Sequence, residues 1–229
     1  MDWTKISKDP MDDKAMKAVY EHIKSIRTEI DDLFIEHVKK EVSGKRVLDI
    51  GVCEHDFSYL AKERWRHKVI KENAAYCLGV DILQEMIDEL NRQGYNIRYA
   101  DATSDIYLGE KFDVVFIGDV IEHVDRPADL LRFAKRHLLP GGKIIVTTPN
   151  PFYYRFFLEN IRYGTSRTNL EHVVWISPFM ALELSRRTGL KLSRYVFFKH
   201  SNRYWKFLVK KIAPPELISP MHYYEFTLE

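Results

Sequence analysis

The chain has only two cysteines, Cys53 and Cys77, among its 229 residues. So few cysteines do not indicate a disulfide-built fold, and a reducing, cytoplasmic setting is the simpler interpretation. The amino terminus, MDWTKISKDPMDD, is charged and lacks the apolar core of a secretion signal. No apolar run approaches the length that a membrane-spanning helix needs. We therefore expect a cytoplasmic protein without a transmembrane segment.

A charge excess of either sign is also missing. Lys+Arg 35 against Asp+Glu 33 leaves a net charge of +2, which gives no strong signal for nucleic-acid binding. A hydrophobic content of 45% and a charged content of 30% are typical of a globular protein. The length suits one sizeable core. We therefore expect a helical extension over residues 1–44 and one main domain over residues 45–229.

Apolar residues recur at three- and four-residue steps through the extension, after a helix-start signal at Asp9-Pro10. The periodicity between Met16 and Val38 predicts one amphipathic helix, or two in succession, ending near Ser43-Gly44. We expect this stripe to pack on the main domain. A lid or a homodimer face is the alternative.

Short apolar stretches alternate with helical segments through the main domain, and several of them are closed by an acidic residue. The predicted strands are Arg46–Ile50, Ala75–Val80, Asn96–Ala100, Phe112–Ile117, Lys143–Thr148, Lys191–Phe198 and His222–Leu228. The first five alternate with helices and predict a doubly wound α/β sheet. The last two predict an antiparallel pair at one edge.

Four aspartates, Asp49, Asp81, Asp101 and Asp119, lie at or just beyond the predicted ends of four strands. The carboxyl ends of parallel strands meet at one edge of a sheet, where such folds bind ligands. Gly51 would allow a ligand to approach the backbone there. A rim with four carboxylates suits a cationic ligand better than a pyrophosphate.

The glycine-rich fingerprint of dinucleotide-binding folds is missing, because Val52, Cys53, Glu54 and His55 follow Gly51. A carboxylate directly after the second strand, as Asp81 is, can nevertheless accept both hydroxyls of a ribose. Asp101 and the small Ala102 could contact an adenine edge through a side chain and a backbone amide. The pattern favours a cationic nucleoside over a nicotinamide dinucleotide.

The succession VLDIG, LGVDI, YADATSD, FDVVFIGDVIEHV, LLPGGKIIVTTPN and HVVWISP resembles the class I S-adenosylmethionine-dependent methyltransferases. In particular it is similar to small-molecule O-methyltransferases with an EHV segment after the fourth strand. The resemblance covers roughly residues 46–198. It implies a Rossmann-like, mostly parallel seven-stranded sheet with an antiparallel last strand, and S-adenosyl-L-methionine as cofactor. We expect methyl transfer to a small-molecule or saccharide-like acceptor, with a hydroxyl as the attacking group.

The resemblance also assigns positions to the parts of this cofactor. The methionine part would lie against Asp49 and Gly51, the ribose against Asp81, the adenine against Ile82, Asp101 and Ala102, and the sulfonium beside Gly118 and Asp119. Cys53 and His55 replace the second and third glycines usual in the family. Either the turn bends differently and still admits the cofactor, or the pocket is spoiled. The intact acidic strand ends favour binding.

His123 and His172 are the candidate catalytic bases, because histidine titrates in the range useful for removing a hydroxyl proton. Each could instead have a purely structural role. Ubiquinone-pathway O-methyltransferases and small-RNA 3′-end methyltransferases carry an E-x-x-E-H pattern, and this chain has Asp119 in place of their first Glu. Asp119, Glu122, His123 and His172 could therefore hold a metal. The shorter Asp argues against this site, and our primary prediction contains no metal.

Three further stretches carry weaker expectations. Residues 149–176 form a lid-like segment whose aromatic PFYYRFF could stack on a ring-shaped acceptor or seal the domain. The basic and apolar RYWKFLVKKI could touch a membrane surface, but an ordinary helix is the better interpretation. We expect His55, Arg64, Trp65 and His67 to belong to a solvated basic face rather than to line the pocket mouth.

Two other functions remain open from the sequence. The altered turn after Gly51 is compatible with a non-catalytic relative that uses the fold as a binding or scaffolding module. An RNA methyltransferase is disfavoured by the balanced charge, although the basic aromatic segment keeps it possible.

Overall fold

The computed structural model of the protein describes residues 1–53, 65–198 and 214–229. Its helices are α1 (Asp13–Ile26), α2 (Phe34–Val42), α3 (Arg66–Asn73), α4 (Gln84–Arg92), α5 (Pro127–Arg136), α6 (Tyr154–Tyr163), α7 (Pro178–Thr188) and α8 (Pro215–Ile218). Its strands are β1 (Arg27–Ile30), β2 (Arg46–Ile50), β3 (Tyr76–Asp81), β4 (Ile97–Tyr99), β5 (Phe112–Gly118), β6 (Leu138–Pro149), β7 (Leu190–Phe198) and β8 (Met221–Leu228). Short 3₁₀ helices cover Trp3–Lys5 and Ile121–His123.

The strands form one sheet in the order β1-β7-β8-β6-β5-β2-β3-β4. All neighbouring pairs are parallel except the two that involve β8, which is antiparallel to β6 and to β7. The predicted Rossmann-like α/β fold with an antiparallel last strand is therefore confirmed.

An eighth strand corrects the predicted number of seven among the described residues. The continuous helical stripe expected in the extension is interrupted, because Arg27–Ile30 leaves α1 and pairs in parallel with Tyr195–Phe198 of β7. Thr28 and Ile30 are β-branched, and the exposed edge of β7 supplies hydrogen bonds that a helix would otherwise make internally. Contrary to the prediction, the antiparallel pair of β7 and β8 is therefore not at the edge of the sheet, because β1 forms the edge beyond β7.

Helices cover both faces of the sheet, and alternate strand residues reach opposite faces. Leu48 packs in one apolar core with Leu130 of α5 and Leu182 of α7. Its neighbour Val47 packs on the other face with Val38 of α2. This two-residue alternation is what a doubly wound sheet requires.

The strand register brings the carboxyl ends of the central strands together. Ile50 at the end of β2 lies opposite both Val80 and Ile117. Gly118, which ends β5, lies opposite Thr147 of β6. Side chains that follow these residues therefore share one edge.

Two predicted helical stretches fall wholly or largely outside the described residues. The helix expected from Asp56 to Arg66 is described only at its last two residues, and RYWKFLVKKI is not described at all. Within the described ranges, none of the helices has the length and apolar character needed to cross a bilayer.

Candidate active site

Gly51 makes the turn that follows β2. Its φ is +74°, and its amide donates a hydrogen bond to the Val80 carbonyl oxygen at 2.9 Å. A β-carbon at this position would lie 2.1 Å from Val120 Cγ2. A glycine is therefore required at position 51 by the backbone conformation and by the packing of Val120. This agrees with the sharp turn predicted from the sequence.

Asp81 ends β3 and organises the neighbouring loops. Its carboxylate accepts hydrogen bonds from the backbone amides of Cys53 at 2.8 Å, Ile82 at 2.7 Å and Leu83 at 3.1 Å. A carboxylate has about four acceptor positions, so roughly one is left for a ligand hydroxyl. Three acceptor positions of Asp81 are thus used by the protein itself, which no local pattern in the sequence indicates.

The structure places Ile82, Asp101 and Ala102 close to Asp81 at the carboxyl edge of the sheet. The backbone amide of Ala100, the residue before Asp101, donates a hydrogen bond to the Asp81 carbonyl oxygen at 3.0 Å. The exposed Asp101 carboxylate accepts from Thr103 N at 2.8 Å and Thr103 Oγ1 at 2.7 Å, and these bonds lower its pKa. Ala102 is buried, whereas Ile82 is 59% exposed. An exposed isoleucine beside a carboxylate offers an apolar contact for a ligand.

Asp49 is fully buried at the end of β2. Its Oδ2 lies 2.8 Å from His67 Nδ1, while its Oδ1 has no hydrogen-bond partner. The prediction of a solvated basic face is wrong for Trp65 and His67, which are 6% and 2% exposed. These two side chains are buried because they lie at the start of helix α3, whose first turn covers the edge of the sheet. The other two residues of that prediction, His55 and Arg64, lie outside the described residues.

Arg66, the first residue of α3, lies over the ends of β2 and β5. Its Nη2 donates to the Gly51 carbonyl oxygen at 3.2 Å, and its Nη1 is 3.7 Å from Asp119 Oδ2. Its Cζ lies 5.3 Å from the Phe116 ring centroid. A β-carbon on Gly118 would come within 2.1 Å of that Cζ. Gly118 therefore provides the space for this guanidinium, and no local pattern in the sequence indicates that Arg66 lies there.

A second group of side chains follows β5. Glu122 is 1% exposed, and neither of its carboxylate oxygens has a hydrogen-bond partner. The lid-like segment returns here, since Val173 N donates to the Glu122 carbonyl oxygen at 2.9 Å. His172 Nε2 lies 4.0 Å from Glu122 Oε1, and the rings of His123 and His172 meet edge to face at 4.7 Å.

The predicted bases His123 and His172 are thus neighbours, although they are far apart in the sequence. Burial and the nearby Asp119 charge together raise the Glu122 pKa to about 7, against the lowering effects of its own backbone amide, Thr148 and Arg66. Burial and the adjacent His123 lower the His172 pKa. The Glu122 carboxyl can therefore exchange protons near neutral pH, and the His172 imidazole is shifted toward its neutral form.

Glu122, His123 and His172 can also offer one ligand atom each to a metal, with those atoms within 4.8 Å of one another. Asp119, the fourth residue of the metal hypothesis, lies outside this group; its Oδ1 accepts from Thr147 Oγ1 at 3.2 Å. A carboxylate with two imidazoles suits a divalent transition metal. The unpartnered oxygens of Glu122 and the unpartnered Nδ1 of His172 fit such an ion.

The residues at the rim also fit a cationic nucleoside. The buried Asp49 keeps one oxygen without a hydrogen-bond partner, and a cation already lies 3.9 Å from it in the form of Arg66 Nε. The eight positions assigned to the cofactor fall into two groups along the edge. One end of the carboxyl edge is formed by Asp81, Ile82, Asp101 and Ala102. The other end is formed by Asp49, Gly51, Gly118 and Asp119.

Several proteins of similar sequence carry methyltransferase names. The ubiquinone biosynthesis O-methyltransferase of Aeromonas salmonicida is 26% identical over 155 residues, which cover 64% of this chain and 63% of that protein. The protein of the same name from Leptothrix cholodnii is 23% identical over 192 residues, covering 75% and 76%. The chain spans only 59–63% of the length of the first four relatives that it matches.

Solved structures share the fold. A methyltransferase from Archaeoglobus fulgidus, described as dependent on S-adenosylmethionine, superposes with a TM-score of 0.54 at 21% identity, covering 85% of this chain and 94% of that one. The CcbJ methyltransferase of Streptomyces caelestis superposes with a TM-score of 0.57 at 15% identity, covering 85% and 93%. The family model described as a methyltransferase domain matches residues 20–194, most of the chain. With its sheet order and its acidic carboxyl edge, the chain therefore belongs to the methyltransferase-domain family.

Proposed function

We propose that the protein is an S-adenosylmethionine-dependent methyltransferase that acts on a hydroxyl group of a small molecule. The observation that carries this proposal is the carboxyl edge of the sheet, where Asp81 and Asp49 mark two ends of one acidic rim beside the buried Glu122. The names of the ubiquinone biosynthesis relatives support oxygen as the atom that accepts the methyl group.

S-Adenosylmethionine would supply an electrophilic methyl group, so the protein has to orient the acceptor and remove its proton. His172 is the better base of the two histidines, because the lowering of its pKa keeps the imidazole neutral and able to accept a proton. Glu122, 4.0 Å from His172 Nε2, would stabilise the imidazolium that results. His123 would hold the His172 ring through their edge-to-face contact.

A divalent cation at Glu122, His123 and His172 is the second candidate for the chemistry of this group. It would lower the pKa of a bound hydroxyl, and the histidines would then be ligands rather than bases, because one lone pair cannot serve both roles. In chelator-treated protein, Mn²⁺ should raise the melting temperature of the wild type and leave that of Glu122→Gln unchanged. Equal responses of the two proteins, or none, would remove the metal from the proposal.

Calorimetric titration with S-adenosylhomocysteine tests the cofactor. Asp81→Asn should weaken binding about 10- to 150-fold, because a hydrogen bond to a charged group is worth about 1.5–3 kcal/mol. Asp88→Asn on the exposed face of α4 removes the same charge away from the rim and should bind as the wild type does.

Folded wild-type protein that fails to bind S-adenosylhomocysteine at millimolar concentration would contradict the proposal. That outcome would favour a non-catalytic binding module, and copurification with a partner would then be the next measurement. Strongly salt-dependent retention of RNA would instead favour an RNA methyltransferase.

Several finer assignments belong to the same proposal. A saccharide-like or other ring-shaped acceptor is supported by the exposed aromatic side chains of the lid-like segment, among them Phe152 and Phe157. A cytoplasmic location is supported by two cysteines that are both free. Homodimer formation through the amino-terminal helices stays a prediction that sedimentation can test.

A further inference from the structure

Arg66 contacts all four residues assigned to the methionine and sulfonium end of the cofactor. Its guanidinium donates to the Gly51 carbonyl oxygen at 3.2 Å and lies 3.9 Å from Asp49 Oδ1 and 3.7 Å from Asp119 Oδ2. It also fills the space that the missing β-carbon of Gly118 leaves. The other group, around Asp81 and Asp101, binds backbone amides and Thr103 instead.

This position is electrostatically favourable for any cation. Asp49 is fully buried, and a buried carboxylate requires a counter-charge. The face of Phe116 adds a cation–π contact, with Cζ 5.3 Å from the ring centroid. The methionine end of S-adenosylmethionine carries two cationic groups, its ammonium and its sulfonium, and one anionic carboxylate. The two cationic groups would use the same carbonyl and carboxylates that Arg66 contacts, so they and the guanidinium cannot occupy this space together.

We propose that Arg66 is an internal competitor for the amino-acid end of the cofactor. The inference rests on the proposed function, and it assigns to Arg66 the control of access to that site. In the ligand-free protein the guanidinium neutralises Asp49 and Asp119. On binding, one cation replaces another, so the two carboxylates keep a counter-charge in both states. The apparent affinity is reduced by the fraction of molecules in which the guanidinium blocks the site.

Ligands that differ at the amino-acid end separate this effect from general damage to the site. Arg66→Ala should bind S-adenosylhomocysteine about tenfold more tightly than the wild type, because the competing contacts are gone. Adenosine lacks the amino-acid end, so its affinity should change less than about twofold. Arg132→Ala, which removes an exposed arginine paired with Asp129 on α5, should leave both affinities unchanged.

Thermal melting gives a second measurement. Without ligand, Arg66→Ala should melt below Arg132→Ala, because Asp49 has lost its nearby cation. Saturating S-adenosylhomocysteine should raise the melting temperature of Arg66→Ala more than that of the wild type. If Arg66→Ala does not fold, Arg66→Gln keeps an amide donor for the Gly51 carbonyl oxygen without the charge, and a smaller gain in affinity is expected.

An unchanged affinity of Arg66→Ala for S-adenosylhomocysteine would overturn the inference, because the contact would then be passive. A weakened affinity would overturn it too, since Arg66 would then be a ligand of the cofactor. In both cases the wild type still binds S-adenosylhomocysteine and the proposed function stands. If neither ligand binds wild type or variants, the proposed function itself fails and the inference falls with it.

Discussion

At the residue scale, Gly51 combines a left-handed backbone with a neighbour that leaves no room for a β-carbon. Gly51→Ala should lower the free energy of unfolding by about 2–5 kcal/mol, the sum of the left-handed backbone penalty and overpacking against Val120. Urea denaturation measures this loss.

Gly44 is the matched control, because its φ is +68° but nothing lies within 4 Å of its β-carbon position. Gly44→Ala should cost only about 1–2 kcal/mol. The second change Val120→Ala should recover part of the loss in Gly51→Ala, as a double-mutant cycle would show. Equal losses at both glycines would mean that the contact with Val120 is unimportant.

Glu122 makes folding stability depend on pH. Burial raises its folded-state pKa from 4.5 to about 7, so the folded protein binds more protons than the unfolded chain between these values. The contribution of this group is therefore fully favourable below pH 4.5 and is lost as pH rises through about 7. Between pH 5 and pH 8, the loss should be about 2–3 kcal/mol.

Glu122→Gln removes this titration, so its free energy of unfolding should fall less than that of the wild type between pH 5 and pH 8. Urea denaturation at both pH values, with a chelator present, measures the difference. Parallel pH profiles of the two proteins would show that the Glu122 carboxyl keeps an ordinary pKa.

At the element scale, an ion network attaches helix α2 to the sheet. Lys143 of β6 forms ion pairs with Glu41 of α2 and with Glu225 of β8, the latter at 3.3 Å, and Arg194 of β7 lies 2.9 Å from Glu225. Glu225 is 3% exposed, so it depends on these cations. The network therefore fixes the position of α2 on its face of the sheet.

Lys143→Met should lower the free energy of unfolding by about 1–3 kcal/mol, less than for a fully buried pair because Arg194 still neutralises Glu225. Lys40→Met is the control in the same region. It breaks an exposed pair with Asp32 at 2.6 Å and should cost less than about 1 kcal/mol. Equal small losses in chemical denaturation would mean that the network contributes no more than a surface ion pair.

At the scale of the whole molecule, the amino-terminal stretch supplies an edge strand and a core-covering helix. Strand β1 extends the sheet beyond β7, and Val38 and Val42 of α2 are fully buried. The boundary between extension and main domain at residue 45 stays a prediction. We expect removal of residues 1–44 to abolish cooperative unfolding, because the truncated chain exposes the apolar face that α2 covers.

Circular dichroism and thermal melting of residues 45–229 test this expectation. A fragment that melts cooperatively near the temperature of the full chain would show that the stretch is a separable extension. A fragment without a transition would show that it is part of the domain.

Local signals in the sequence determined the α/β alternation and the acidic edge. Apolar β-branched runs define strands such as β5 and β6, and the Ser177-Pro178 start and Gly189 end of α7 are read from adjacent residues. The aspartates follow their strands in the chain, so their meeting at one edge follows from parallel pairing alone. The eighth strand, the burial of His67 and the position of Arg66 were decided only by tertiary structure. Strand β1 depends on an edge offered by β7, about 170 residues away. The raised Glu122 pKa likewise depends on burial that distant segments create, and no local pattern encodes it.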